Sequence, residues 1–324
     1  MRYDMSRNIS NGVSHDMSYD VIGDIHGQAG KLEALLREMG YTEVSNGWVP
    51  PAGRKAVFLG DLIDRGPEQL KVLNIVRSMV RAGHAHCIMG NHEFNAIGYV
   101  TPHRSEPQRF LRKHSDTKVA QHVEFLAQVR EGSDVHRELI DWFRTLPPML
   151  DLGGLRVVHA WWHQPYVDLI DREFWDGDRM SEDFLHAAFE KGSAAWAAME
   201  GLTKGQEVDL PDPHHYFDHA GVPRNNVRTK WWLKGEGGFR EVGIVPGNEV
   251  HRLPDLDLPD HYVGGNPDGA PVLVGHYWFS GEPVVQTPKV ACLDWSAAKD
   301  GPLVAYRWDG EQELTNDKFV AAGA

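Results

Sequence analysis

Three times in its first hundred residues this chain runs a short apolar stretch into a glycine-bounded polar loop and then into an amphipathic repeat. Residues 19–22 enter Gly23-Asp24-Ile25-His26-Gly27, after which Leu32, Leu35, Leu36 and Met39 recur at the spacing of one helix face. Residues 56–59 enter Gly60-Asp61-Leu62-Ile63-Asp64-Arg65-Gly66. Pro67 is expected to open the next helix, where its missing N–H costs nothing, with Leu70, Leu73, Val76 and Val80 turned inward. A third strand over residues 86–89 delivers Gly90-Asn91-His92-Glu93. Strands alternating with helices imply a largely parallel sheet, whose functional groups sit on loops beyond the carboxyl ends of the strands. All three polar clusters then share one rim.

The rest of the chain is less regular. Residues 105–146 read as helical and charge-rich, and residues 155–158 as a strand ending at His159. Residues 165–266, rich in Trp, Asp, Gly and Pro, show no sustained period and are expected to form loops and a few irregular elements beside the rim. Residues 272–274 lead to His276, residues 290–293 to Asp294, and residues 303–308 form a last strand. With no internal repeat or low-complexity linker, residues 17–324 read as a single α/β domain carrying an irregular insertion at about 165–266. Residues 1–16 are polar and aperiodic and are expected to be a disordered extension.

Charge and cysteine content narrow the function. A net charge of −13 argues against an extended nucleic-acid surface or an anionic membrane as the main source of affinity. No apolar run approaches the length of a membrane span, and the first residues lack the apolar stretch of a secretory signal. Cys87 and Cys292 are the only cysteines, so no disulfide framework is implied and a cytoplasmic setting is expected.

Asp24 and His26 flank one residue in a glycine-bounded turn, a spacing that lets a carboxylate and an imidazole converge on one ion. Asp61 and Asn91 occupy the equivalent strand ends in the next two units, and His159 and His276 complete a set of six candidates. Oxygen donors mixed with imidazoles suit divalent Mn, Fe, Zn, Co or Ni better than calcium or a thiolate zinc site. A carboxylate such as Asp61 can bridge a metal pair, the arrangement that activates water and clamps a transferring phosphoryl group. A single Asp or His at a strand end is usually a cap or a satisfied polar residue. Six in order, each after a short apolar run, are a far stronger signal.

Residues 23–27, 60–66 and 90–93 resemble the three signature blocks of calcineurin-like metallophosphoesterases. They match the phosphoprotein phosphatase branch, which holds bacterial symmetrical diadenosine tetraphosphatases and serine/threonine phosphatases. The resemblance runs from about residue 19 to 308, interrupted by the middle segment. It implies a sandwich of mixed β-sheets flanked by helices, with a dimetal site on loops at strand C-termini. One metal would rest on Asp24, His26 and Asp61, and the second on Asp61, Asn91, His159 and His276, with manganese as the expected ion. The resemblance also makes His92 a general acid supported by Asp64, and Arg65 and Asn91 phosphate contacts. An arginine fork matches two phosphoryl oxygens in a way that lysine does not. His159 departs from the pattern, being followed by Ala160-Trp161-Trp162 where related sequences place glycine within two residues. No second histidine stands two positions after His276, which favours the phosphatase branch over many phosphodiesterases.

The stretch Val274-Gly275-His276-Tyr277-Trp278 and residues 291–305 are similar to the end of diadenosine tetraphosphatases, and residues 225–232 are similar to a basic substrate-side motif in that group. Arg228 and Lys230 alternate with Thr229 on an expected strand, so both face one side, toward anionic phosphates or toward solvent. Trp161, Trp162, Trp231 and Trp232 are candidates to stack on a nucleobase or to pack in the core. The favoured substrate is a small phosphorylated molecule, a dinucleoside polyphosphate such as diadenosine tetraphosphate. A serine/threonine or tyrosine protein phosphatase acting on a phosphoprotein, and an inactive phosphate-binding regulator, are the alternatives.

Overall fold

A computed structural model of the protein describes residues 17–45, 47–218, 221–265 and 269–323; the extension expected over residues 1–16 lies outside them. The three repeated units fold as strand, loop and helix. They are Ser18–Ile22 (β1) with Ala29–Glu38 (α1), Arg54–Phe58 (β2) with Gln69–Arg81 (α2), and Ala85–Cys87 (β3) with Asn91–Val100 (α3). Val21, Ile22, Val57 and Phe58 are fully buried, so successive side chains on both strand faces are covered, as central strands require. Leu32, Leu35, Leu36 and Met39 of the first helical repeat are buried as expected.

The second helix differs in phase from the expectation. It begins at Gln69, two residues after Pro67, and buries Gln69, Val72, Leu73, Ile75, Val76 and Met79, leaving Leu70 and Val80 half-buried. Gln69 fixes that phase: its side chain accepts the Asp64 N–H at 2.8 Å and donates to the Gly66 carbonyl at 3.1 Å, so it must face the loop.

Asp116–Val129 (α4) and Asp134–Phe143 (α5) follow, α5 starting at Ser133, whose hydroxyl accepts the His136 N–H. The helical reading of residues 105–146 is too long at its start, because residues 105–115 are not helical: Arg109 N–H bonds the Glu106 carbonyl in a turn, and Leu111 N–H reaches back to the Thr101 carbonyl. Met149–Asp151 (β4) and Arg156–Val158 (β5) come next.

Residues 165–266 hold more regular structure than expected. Gln164–Glu173 (α6), Glu182–Ala188 (α7) and Ala194–Lys204 (α8) are helices. In α8 the stretch Ala194-Ala195-Trp196-Ala197-Ala198 is nearly uniform in alanine, which weakens the polar–apolar contrast on which periodicity rests.

The last strands are Val272–Val274 (β6), Val290–Cys292 (β7), Leu303–Trp308 (β8) and Phe319–Ala322 (β9). The expected largely parallel sheet is instead two mixed sheets. One has the order β9-β8-β1-β2-β3, parallel from β1 to β3 and antiparallel at β8 and β9; the other has the order β7-β6-β5-β4, antiparallel only at β4. Val21, Val57, Val304 and Tyr306 from the first share a core with Leu150, Val157, Leu273 and Ala291 from the second. This is the sandwich of mixed sheets flanked by helices that the resemblance implies.

Residue contacts gather into two compact units, the chain up to Thr203 with Ala270–Ala324, and Lys204–Gly269. The second contains a three-stranded sheet of Glu207–Asp209, Asn226–Thr229 and Gly243–Ile244 around Val208, Leu210, Val227, Phe239 and Leu253. Among the described residues no helix is long and apolar enough to cross a membrane.

Candidate active site

Five parallel-paired strands end at one cluster of polar side chains. Asp24 and His26 follow β1, Asp61 follows β2, Asn91 opens α3 just after β3, His159 follows β5 and His276 follows β6. Asp24, His26, Asp61, Asn91, His159 and His276 are all less than one-tenth exposed. Asp61 Oδ2 lies 3.6 Å from His26 Nε2, 3.4 Å from His159 Nε2 and 3.8 Å from His92 Nε2. Two groups of potential metal-binding atoms result, His26 with Asp61 and His92, and Asp61 with His159 and His276. Asp61 is common to both. His159 Nε2 is also 4.0 Å from Asp24 Oδ2 and 3.2 Å from Asn91 Oδ1.

The donor set fits a pair of divalent ions. His26 Nδ1 bonds the Ile63 carbonyl at 2.8 Å and His159 Nδ1 bonds the Leu59 carbonyl at 2.7 Å. A carbonyl only accepts, so each Nδ1 carries the hydrogen and each Nε2 is turned toward the cluster, the arrangement that orients ligating imidazoles.

Local backbone cost marks the same loops. His26, Asp61, Asp64, Arg65, His276 and Trp278 all have positive φ, six of the eight such non-glycine residues among those described. Each costs on the order of 1 kcal/mol or more and persists only where surrounding contacts enforce it. At Gly275 an added Cβ would stand 2.1 Å from Asp24 Oδ1, so glycine is what lets Asp24 accept the His276 N–H at 3.1 Å. Glu93 braces the neighbouring loops, accepting the N–H groups of Asp61 at 2.8 Å, Leu62 at 2.8 Å and Gly90 at 3.0 Å.

Charges in the cluster are strongly coupled. Burial disfavours the ionised form of Asp61, but His159, His92 and His26 hold its carboxyl well below the usual range. Asp24 moves the other way, raised by burial and by the Asp294 carboxylate. Burial opposes a charge on His159, yet Asp61 and Asp24 push its imidazolium up to about 10. Burial and the neighbouring His92 bring His26 down to about 3, so its ring is neutral. His92 is raised, Asp61 and Asp64 outweighing burial. Its Nδ1 lies 2.5 Å from Asp64 Oδ2.

Arg65 is exposed on the Asp64 loop, and its charge acts on His26, His92 and Asp294. Arg228 and Lys230 lie in the Lys204–Gly269 unit, flanking buried Thr229 as the alternation predicts. Arg228 is ion-paired with Glu207 at 3.0 Å, and Lys230 Nζ donates to the Glu241 carbonyl at 3.2 Å. Trp161, Trp162, Trp231 and Trp232 are all buried, which is the core-packing alternative.

Four neighbours, His122, Arg112, Trp278 and Asp294, were given no site role by the sequence. His122 Nδ1 is 2.7 Å from Asp64 Oδ1. Half-buried Arg112 feels the Asp64 charge. Trp278, 41% exposed, has its ring 6.3 Å from that of His276, and its backbone N–H is held by buried Asp294 at 2.8 Å. Only Trp278 carried a usable signal, its place two residues after a candidate ligand.

A family model described as calcineurin-like phosphoesterase matches residues 17–265. The symmetrical bis(5′-nucleosyl)-tetraphosphatase of Methylococcus capsulatus is 26% identical over 303 residues, covering 90% of this chain and 92% of that protein. Its counterpart from Aromatoleum aromaticum is 34% identical over 246 residues, covering 70% and 81%. An asymmetrical bis(5′-nucleosyl)-tetraphosphatase from Geobacillus thermodenitrificans is 32% identical over 155 residues, covering 47% of this chain and 61% of its own length.

Proposed function

Because this chain belongs to the calcineurin-like phosphoesterase family, we propose that it is a hydrolase of dinucleoside polyphosphates, with two divalent ions on the rim and His92 as proton donor to the leaving group. The observation that carries this reading is Asp61, one carboxylate within 4 Å of imidazoles from both ligand groups. Asp24, His26 and Asp61 would hold one ion, and Asp61, Asn91, His159 and His276 the other. We assign manganese, which suits carboxylate and carboxamide oxygens mixed with neutral imidazoles. Two such ions supply Lewis acidity for the attacking water and for the phosphoryl oxygens.

The chain's own groups do the rest. Arg65 and the Asn91 amide bind phosphoryl oxygens and orient the phosphorus. Asp64 accepts the His92 Nδ1–H, which leaves His92 Nε2 to give its proton to the departing oxygen. The choice of a dinucleoside polyphosphate is supported by two relatives named for that substrate over most of their lengths. Exposed Trp278 offers an aromatic face beside His276 for a nucleobase. Arg228 and Lys230, already partnered within their own unit, are the least supported phosphate contacts.

The test is Mn²⁺-loaded protein assayed in parallel on diadenosine tetraphosphate, a phosphoserine peptide and a phosphotyrosine peptide. The highest kcat/KM is expected on the dinucleotide. Trp278→Ala should raise KM for it several-fold, as base stacking is worth about 1–3 kcal/mol, and leave KM for p-nitrophenyl phosphate in place. A phosphopeptide turned over with much higher kcat/KM would replace this reading with a protein phosphatase.

A further inference from the structure

The Asp64 carboxylate is gripped from two sides. Its Oδ2 is 2.5 Å from His92 Nδ1 and its Oδ1 is 2.7 Å from His122 Nδ1. Burial resists ionisation of Asp64, but the two imidazoles hold its carboxyl down at about 2. An ionised carboxylate only accepts, so both Nδ1 atoms carry hydrogen.

His122 sits on α4, 5% exposed, with Tyr99 and Phe125 rings 5.1 and 5.0 Å from its own. Its Nε2 is out of contact with solvent and has no hydrogen-bond partner among the described residues. Packing alone does not call for an imidazole here, because a buried unpaired nitrogen carries a cost that a phenyl ring lacks. The Nδ1 donation is what the imidazole adds.

Its helix is fastened to the loop it serves. Gln128, also on α4, accepts the Gln69 N–H at 2.9 Å and donates to the Pro67 carbonyl at 2.9 Å. His122 therefore meets Asp64 from an element locked to the Asp64–Pro67 turn.

We infer that His122 is a positioning residue for His92: by binding Asp64 Oδ1 it holds the carboxylate so that Oδ2 faces His92 Nδ1 and His92 Nε2 is aimed at the leaving oxygen. This inference rests on His92 being the proton donor.

The experiment measures kcat and KM for aryl and alkyl phosphates of graded leaving-group acidity, with bound metal quantified in each variant. His122→Phe fills the ring space without a donor, whereas His122→Asn returns a donor near the Nδ1 position. His122→Phe is expected to lower kcat on the order of tenfold for the poorest leaving group, as losses of supporting hydrogen bonds at such sites do. The change should be small for p-nitrophenyl phosphate, with KM and metal content held. His122→Asn should recover most of the loss, and His122→Phe should add nothing in an Asp64→Ala background. His122→Ala, which introduces no bulk, must repeat the graded defect even if the phenylalanine variant misfolds. The inference is overturned if His122→Ala and His122→Asn are equally impaired, or if their defects are flat across leaving groups while that of His92→Asn is graded. A flat profile for His92→Asn as well would overturn the His92 assignment, and this inference with it.

Discussion

His92 and Arg65 stand on adjoining loops of the rim with separable jobs. His92→Asn keeps a polar side chain but removes the proposed proton donor, so a loss on the order of 10²–10⁴ in kcat is expected for an alkyl phosphate and much less for p-nitrophenyl phosphate. Arg65→Ala should raise KM and lower kcat alike for both, because in the proposed mechanism the guanidinium contacts the phosphoryl group before and during bond breaking. Steady-state kinetics on the two substrates separates these outcomes; a graded defect for Arg65→Ala would mean that it assists departure of the leaving group.

His159 makes a pH prediction. Its imidazolium is raised to about 10, above its usual value, so in chelator-treated protein it is charged at neutral pH and its stabilising contact with Asp61 is lost only as pH rises through that value. A metal ligand must be a neutral ring. Metal uptake at pH 7 to 9 should therefore release the His159 proton, whereas His26, already neutral, contributes none. Calorimetric titration with Mn²⁺ in buffers of different ionisation enthalpy should show proton release and an affinity that rises with pH. An affinity independent of pH over that range would remove His159 from the ligand set.

Between elements a buried charge contact lies away from the rim, on β1. Asp20, fully buried, accepts from Arg54 of β2 at 2.7 Å, Arg307 of β8 at 3.0 Å and Tyr41 at 3.0 Å. Three segments of the first sheet are thus tied to one carboxylate. Asp20→Asn leaves Arg54 with Asp309 as its remaining carboxylate and takes Asp20 from half-buried Arg307, and should cost about 1–3 kcal/mol of stability, read by urea unfolding, because a buried charged acceptor is lost. Turnover per folded molecule should be unchanged. A large loss of kcat in the folded fraction would show that sheet geometry is transmitted to the rim.

For the molecule as a whole the shared carboxylate is the most consequential group. Asp61→Asn removes a charge common to both ligand groups and should lower occupancy of two ions at once, with activity falling much further than melting temperature. Metal analysis beside an aryl phosphate assay checks this, and a variant with two bound ions and normal turnover would demote Asp61 to a loop cap. Chelation of the wild type should abolish hydrolysis, and Mn²⁺ should restore it.

Much of this organisation is readable along the chain because it is local. Asp24, His26, Asp61 and Asn91 each follow a short apolar strand of one parallel set, so strand polarity sends these four to one rim. Glu93 lies three residues after Gly90, whose N–H it accepts, so its place in the first turn of α3 is likewise local. Contacts between distant segments were not readable. His122 meets Asp64 across 58 positions, and nothing in α4 distinguishes it from a core histidine until the carboxylate is placed beside it. The second sheet pairs β5 with β6 across the whole middle segment, so the closure of the rim by His159 and His276 depends on packing that no local period encodes. The fate of the tryptophans was likewise undecided by sequence, since a ring suits a core and a nucleobase equally well. The sequence by itself determined the ligand types, their order and their strand-end positions, because these follow from backbone direction and side-chain chemistry. Tertiary structure decided what holds Asp64 and which aromatic face remains exposed, because each depends on groups that only the folded chain brings within a few ångströms.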